Sequence, residues 1–304
     1  MNRGDMKTLI NHLDDYINSP FNVRAETTKK VHKKVLKAFI NRNHLNLVND
    51  LSLDICALFI NDKEKAINTR HTRLGILRGF FEHLIRVEVL DENFLSLIRM
   101  NIKLPKPPRP NPRPFSKTET SATIAAAKAL DAHSNYKRNG HSYELMTLLM
   151  VQEGLRSIEV RRLEAHHIDM DNRIMEIKGK GGRDRLLPIS DQTFKVLNKH
   201  FKATGNRNGF VLKRINTWDQ LSANAVYERM AKVIETGGIK TQAYDGRSAH
   251  GLRRTAASDV YKKSQNDVVA VQQMLGHENL KSTQHYIGLN NPEELRKKMN
   301  GRNY

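Results

Sequence analysis

The chain has 304 residues, 38% hydrophobic and 27% charged, a balance that excludes a disordered protein and suits two globular domains. Its net charge of +19 and pI near 10.0 point to a polyanionic partner, most often nucleic acid. No apolar run is long enough to span a bilayer, and a single cysteine, Cys56, excludes an internal disulfide or a Cys-rich zinc site.

The opening MNRGDMKTLINHLDDYI has acids inside its apolar stretch and no small-residue cleavage site, so it reads as a helix and not as a signal peptide. Met6, Leu9, Ile10, Leu13 and Ile17 fall at helical spacing. So do Val31, Val35, Leu36, Phe39 and Ile40, on a segment whose other face carries Lys29, Lys30, Lys33, Lys34 and Lys37. Such a face is usually just solvated, but in a basic chain it is also a candidate for phosphate contacts. Ile55, Leu58 and Phe59 predict a third helix, with Cys56 as a buried small hydrophobe in LDICALF. Leu74, Leu77, Phe81, Leu84 and Ile85 predict a fourth, starting from Asn68 or Thr69 as N-cap. Residues 1–104 are therefore expected to form a small bundle of four or five helices.

The boundary is LPKPPRPNPRPF, residues 104–115. Proline lacks an N–H and fixes φ, so this stretch is neither a helix nor a central strand. Residues 105–114 read as an extended basic linker, whose Lys106, Arg109 and Arg113 either lie along phosphates or are simply solvated. Residues 1–114 hold 20 basic and 12 acidic side chains, and the remainder holds 31 and 20, so both parts are basic.

Residues 115–304 read as a second domain. Ser116 and Glu119 form an S-x-x-E capping box before an Ala-rich helix. Another helix covers about 142–153 and stops at Gly154. Arg173–Ile177 and Arg185–Ile189 flank a Gly-rich turn and predict a β-hairpin, to which GFVLK, 209–213, could add a third strand. Helices return at about 222–236, 250–264 and 267–275. The fold class is thus mainly α, with two domains and a small antiparallel sheet.

No G-x-x-x-x-G-K-[ST] occurs, so GKGG is not a nucleotide-binding loop. HEN after Gly276 lacks the second histidine of a zinc protease, and the 13 histidines show no metal-ligand spacing. No metal, ATP or other cofactor is expected. Four stretches remain: EGLRSIEVRRL with Arg156 and Glu159, the turn KGKGGRDR with Lys180, HGLRR with His250 and Arg253 on one helix face, and LGHENLKSTQHY with His277 and Tyr286. Taken singly each has a plain reading: Arg156 pairs with Glu159, Lys180 is a turn lysine, His250 caps its helix, and Tyr286 is a core tyrosine. Together they suit phosphoryl transfer at a phosphodiester. Guanidinium forks match phosphate oxygens and offset the charge that builds on them in the transition state. A tyrosine hydroxyl is a weak nucleophile until a base and cations assist it, and a lysine can protonate a leaving oxygen.

These four stretches, in this order, resemble the tyrosine recombinases, the family of phage integrases and Xer recombinases. The pattern G-L-R-x-x-E, a G-K-G hairpin, H-x-L-R, and L-G-H with tyrosine nine residues after the histidine stands here as GLRSIE, GKG, HGLR and LGHENLKSTQHY. The departures are mild: Glu153 stands where threonine is common, and RSIE replaces RISE. The resemblance covers essentially the whole chain. It implies an N-terminal helical SAM-like core-binding domain and a C-terminal catalytic domain. It implies that Tyr286 attacks the scissile phosphate to form a 3′-phosphotyrosyl bond. Arg156 and Arg253 would hold the non-bridging oxygens, His250 would accept the tyrosine proton, His277 would hydrogen-bond the phosphate, and Lys180 would protonate the leaving 5′-oxygen. Glu159 would orient the cluster from behind.

By the same resemblance, the partners are duplex DNA with inverted-repeat core sites and three further copies of the chain in a homotetramer. Strand exchange would run through a Holliday junction, for integration and excision of a mobile element or for dimer resolution. Accessory DNA-bending proteins are possible partners, and no membrane is. The expected location is cytoplasmic, at the nucleoid, in a prokaryote, phage or mobile element. Because the chain starts directly with the helical bundle, no further arm-binding domain is expected before it. The tail 291–304 could form a helix after Pro292 that docks on a neighbouring subunit, or be a frayed end. Two other functions fit the residues less fully: a DNA-binding regulator without chemistry, and a topoisomerase-like relaxing enzyme using the same tyrosine.

Overall fold

The computed structural model describes residues 7–22, 24–107, 113–133, 142–179, 184–205, 208–214, 219–239, 241, 247–277, 279 and 283. Met6, Arg109, Lys180, Tyr286 and the tail after Pro292 lie outside the described residues. The chain divides into two compact units, 1–109 and 110–304.

The first unit is built from α1 (Leu9–Asn18), α2 (Glu26–Arg42), α3 (Leu53–Ile60), α4 (Ile67–Arg86) and α5 (Glu92–Asn101). Helix α4 touches each of the others. It buries Leu74, Leu77, Phe80, Phe81 and Leu84 against Leu9 and Leu13 of α1 and Leu36 and Phe39 of α2, so the 3.6-residue periodicity of the sequence is the core itself. Three details differ from the sequence reading. Val31, at the start of the apolar stripe read on α2, is 49% exposed, since that helix buries Leu36, Phe39 and Ile40 further along. Helix α4 starts two residues early, with Ala66 as N-cap and no side-chain cap bond. Leu58 is 73% exposed; α3 is apolar almost all round, and Cys56, Phe59 and Ile60 are the side chains it buries. Burial pushes the Cys56 thiol up to about 12, which makes it inert at neutral pH.

On α2, Lys30, Lys34 and Lys37 are exposed, while Lys29 pairs with Glu26 at 3.3 Å and Lys33 with Asp14 at 2.7 Å. The predicted lysine face is thus partly committed to neighbouring carboxylates.

The second unit contains α6 (Lys117–Ala132), α7 (Tyr143–Val151), α8 (Ser157–Arg162), β1 (Ile168–Asp169), β2 (Ile174–Ile177), β3 (Arg185–Pro188), α9 (Asp191–Thr204), α10 (Ala223–Thr236), α11 (Ala249–Lys263) and α12 (Val268–Leu275). Helix α7 is the hub. Leu145 to Val151 are all buried, and α6, α9, α10 and α11 pack around it. A helix apolar on every face can be stable only when enclosed in this way.

Short polar residues start these helices, α8 excepted. Ser116 accepts from the Glu119 amide while Glu119 accepts from the Ser116 amide, the predicted capping box. Ser142, Ser190, Ser222, Ser248 and Asp267 accept amides at the starts of α7, α9, α10, α11 and α12, each cap typically worth about 1 kcal/mol.

The sheet is antiparallel in the order β1-β2-β3, with Met175 opposite both Ile168 and Leu187 and Ile177 opposite Arg185. The predicted hairpin is present, but its third strand is β1. Among the described residues, 209–213 make isolated bridges, Glu164 with Phe210 and Lys213 with Gln220, and join none of the three strands, because that stretch meets the chain at two separate places.

Beside the linker, the Phe115 amide donates to Thr255 on α11, and Arg247 forks onto Glu119 at 2.9 and 3.0 Å while also donating to the Arg113 carbonyl. Among the described residues, no helix is long and apolar enough to cross a membrane.

Candidate active site

Glu159, on the first turn of α8, is the centre of the site and is almost fully buried. An isolated carboxylate there would be costly, and three guanidiniums satisfy it. Arg156, the N-cap of α8, donates its backbone amide at 2.8 Å and Nη1 at 2.7 Å. Arg185, on β3, donates Nη1 and Nη2 to the two carboxylate oxygens, both at 3.0 Å. Arg253, on α11, approaches Oε2 with Nη1 at 3.3 Å. Burial by itself would raise the carboxyl pKa. The hydrogen bonds from Arg185, then the charges of Arg253 and Arg185, bring it below the usual carboxylate range, so Glu159 is an anion.

Arg253 is fully buried, though it stands three residues after the exposed His250 on the same helix. Its Nη1 also donates to the Gly154 carbonyl at 2.5 Å and its Nη2 to the Leu275 carbonyl at 2.6 Å. Arg253 thereby joins three segments: the end of α7, the start of α8 and the end of α12. Helix α11 starts at Ser248, whose hydroxyl accepts the Gly251 amide, so Ser248 and not His250 is the cap.

Gly276 ends α12 with φ of +61°, the left-handed cap that the LGH stretch predicts. The turn delivers His277 to Arg253, with Nε2 3.4 Å from Nη2, and its Nδ1 lies 2.9 Å from the hydroxyl of Thr283. A guanidinium only donates, so Nε2 is the acceptor in this pair and the ring proton sits on Nδ1, donated to Thr283. Burial, then the charges of Arg253, Arg156 and Arg185, lower the His277 pKa to about 4. The ring is neutral at physiological pH.

Arg156, Glu159, Arg253 and His277 are therefore brought together, whereas Lys180 and Tyr286 lie outside the described residues. Lys178 bonds Asp184 at 2.9 Å and the Gly179 amide donates to Asp184, joining the end of β2 to the start of β3. Glu153 is not part of the cluster. Its carboxylate accepts the amide and hydroxyl of Ser190, tying the end of α7 to the start of α9.

Two residues of the cluster escape the sequence reading. Arg185 has a signal: it lies two residues before Leu187, the buried position of β3, and an arginine on the inward face of a strand implies a buried acid. Thr283 has none, since its role depends on how the chain turns after α12. Among the described residues, no group of histidine, cysteine, aspartate or glutamate is placed to hold a metal ion.

A net-positive cluster in a basic, two-unit, mainly helical protein with a small antiparallel sheet is suited to a phosphodiester. Residues 123–293, more than half of the chain, match the model of the phage integrase family, and the chain belongs to that family, the tyrosine recombinases, which cleave and rejoin DNA strands in site-specific recombination. The chain is 30% identical over 223 residues to tyrosine recombinase XerC of Chromohalobacter salexigens, a match spanning 71% of this chain and 68% of that protein. It is 26% identical over 275 residues, 88% of each protein, to XerA of Thermococcus kodakarensis. In fold it is similar to a lambda integrase dimer bound to a COC′ core site, with a TM-score of 0.72 at 17% identity over 94% of this chain and 79% of that one. It is also similar to XerH bound to a palindromic difH substrate in a post-cleavage complex, with a TM-score of 0.68 at 19% identity over 90% of this chain and 79% of that one.

Proposed function

We infer that Tyr286 is the nucleophile of this recombinase and that Arg156, Arg253 and His277 hold the phosphate it attacks. The observation that carries this reading is the convergence of Arg156 and Arg253 on Glu159, with His277 set against Arg253 just past the helix from which the chain continues to Tyr286, nine residues after His277. The tyrosine oxygen bonds to phosphorus, the 5′-oxygen leaves, and a 3′-phosphotyrosyl bond keeps the phosphodiester's energy, so no nucleotide is consumed. His250 takes the tyrosine proton and Lys180 gives one to the 5′-oxygen. Arg156 and Arg253 offset the charge on the non-bridging oxygens, where fixed cations stabilise the transition state most. For His277 to donate to the phosphate, its proton moves to Nε2 and the Thr283 hydroxyl, which can donate or accept, turns to donate to Nδ1. A 5′-hydroxyl from the partner duplex then reverses the step, giving a Holliday junction and, after a second exchange, recombinants.

In this reading residues 1–104 and the linker 105–114 grip inverted-repeat core DNA, with Lys29, Lys30, Lys33, Lys34, Lys37, Lys106, Arg109 and Arg113 along the backbone. Residues 115–304 carry the chemistry. Four copies act together on two duplexes, with DNA-bending proteins as optional helpers, at the nucleoid. The biological outcome is integration and excision of a mobile element or resolution of dimers, and no metal or ATP is required.

The test starts from duplexes that the protein enriches from a randomised pool. A panel of these, nicked at successive positions, should yield a denaturant-resistant protein–DNA adduct at one position, in EDTA and without nucleotide. Tyr286→Phe should bind the same duplex and form no adduct; an undiminished adduct would reject the nucleophile. With a bridging 5′-sulfur at that position, Lys180→Ala should regain nearly the wild-type rate, whereas equal defects on sulfur and oxygen substrates would remove Lys180 as the acid. Two-site substrates that relax without exchanging partners would replace recombination by topoisomerase action.

A further inference from the structure

We propose that Arg185 is a positioning residue that neutralises Glu159, leaving the charges of Arg156 and Arg253 available to the scissile phosphate. The proposal rests on the functional reading above and extends it to a residue outside the tyrosine recombinase motifs quoted in the sequence.

Charge shows why a third arginine is needed. Glu159 gives Arg156 and Arg253 a common anchor, but a carboxylate facing two guanidiniums cancels half their charge. Arg185 restores the balance: three guanidiniums around one carboxylate leave a net of +2. A phosphodiester carries one negative charge and gains a second as the tyrosine attacks, so a cluster of this charge matches the transition state better than the ground state.

Geometry assigns the balancing role to Arg185. It is the one guanidinium of the three whose two terminal nitrogens both meet Glu159, one per carboxylate oxygen at 3.0 Å. Its side chain is 11% exposed, against 35% for Arg156, which reaches toward solvent; Arg253, 1% exposed, differs in spreading its terminal nitrogens over the Gly154 and Leu275 carbonyls and His277 as well as Glu159. Its Nε donates to the Met274 carbonyl at 2.9 Å, next to the Leu275 carbonyl that Arg253 holds. The two arginines thus fix the end of α12, from which His277 departs.

Gly276 bears on the same point independently. A Cβ on it would lie 3.1 Å from both Cδ and Nη1 of Arg185. The glycine of the LGH stretch therefore serves two ends, the left-handed turn and the close passage of the Arg185 stem. Because Arg185 starts β3, it also ties that strand to the helix end from which His277 departs.

A double-mutant cycle on Arg185 and Glu159 tests this, read by single-turnover adduct formation on the nicked duplex identified above. Arg185→Met keeps an apolar stem beside Gly276 and removes the fork. It should slow adduct formation by about 100-fold, the scale of losing one transition-state donor, with DNA affinity within about threefold because many phosphate contacts remain. In the Glu159→Gln background there is no carboxylate to neutralise, so the same substitution should change the rate by less than about threefold, and Glu159→Gln/Arg185→Met should outpace Arg185→Met by about tenfold or more. Arg185→Lys keeps the charge without the fork and should fall between wild type and Arg185→Met.

A wild-type rate in Arg185→Met, or an equal loss in both backgrounds, overturns the proposal: the first makes Arg185 idle, the second makes it a packing residue. If Arg185→Met alone does not fold, Arg185→Lys and the comparison of Glu159→Gln with Glu159→Gln/Arg185→Met still decide it. An effect of about threefold or less in that comparison, with an intermediate Arg185→Lys, supports the proposal. A large loss in the Glu159→Gln background overturns it. Absence of any adduct from the wild type would instead reject the nucleophilic reading on which the proposal stands.

Discussion

His277 and Arg253 show how far one residue's behaviour departs from its ordinary chemistry once neighbours surround it. His277 is held neutral by burial and by Arg253, Arg156 and Arg185, with its pKa lowered to about 4. Below the ordinary histidine value of 6.5 the unfolded chain takes up a proton that the folded chain refuses. The stability tied to this group is therefore full above that pH and declines as pH falls toward about 4. Histidine-resolved NMR titration of the DNA-free protein should show, among the rings still neutral at about pH 5.5, one that is absent from His277→Gln, and His277 titrating near 6.5 would contradict the buried placement. The two motif arginines should separate in urea denaturation. Arg253→Ala removes a fully buried partner of Glu159, Gly154 and Leu275 and should cost about 3–5 kcal/mol. Arg156, with its side chain 35% exposed, should cost about 1 kcal/mol or less when replaced by alanine, while still slowing cleavage. Equal stability losses would mean that Arg156 is as structural as Arg253.

At the level of elements, the site hangs on how helices stop and start. Helix α12 ends at Gly276 with φ of +61°, and α9 ends at Gly205 with φ of +63°. Alanine at either position incurs the left-handed backbone cost of about 1–2 kcal/mol. Of the two, Gly276 also has a neighbour in the way, Arg185 at 3.1 Å, whereas among the described residues no atom stands within 4 Å of a Cβ at Gly205. Gly276→Ala should accordingly destabilise more than Gly205→Ala and slow adduct formation, with Gly205→Ala cleaving at the wild-type rate. Matching melting temperatures and matching rates for the two variants would show that the close approach of Arg185 has no consequence.

The whole molecule is organised around charge spread over two units. With a net charge of +19 and both parts basic, DNA binding should be strongly salt-dependent. On α2, the exposed Lys30, Lys34 and Lys37 are separated from Lys29 and Lys33, which pair with Glu26 and Asp14. Replacing the three exposed lysines by alanine should weaken binding to specific and unrelated duplexes alike. The slope of log affinity against log salt should become shallower by about 0.9 for each phosphate the variant no longer neutralises. An unchanged slope would make this face a solvated surface and move the DNA-binding face of the first unit elsewhere.

What the sequence determines alone is what depends on local order: helix periodicity, the Ser116–Glu119 capping box, the left-handed stop at Gly276, the hairpin, and the motif spacing that leads to the family. Each is decided within a few residues, so neighbours along the chain suffice. The third strand is not such a feature. Local pattern puts it at 209–213, but strand pairing is settled by whichever segment reaches the sheet edge, and that segment is Ile168–Asp169. Leu58 is exposed despite its helical spacing, because spacing does not say which side of a largely apolar helix meets the bundle. The tertiary structure alone decides that Glu159 gathers three arginines from α8, β3 and α11, and that Thr283 receives His277. Those partners lie up to 94 residues apart, and only a buried carboxylate's need for compensating charge brings them together.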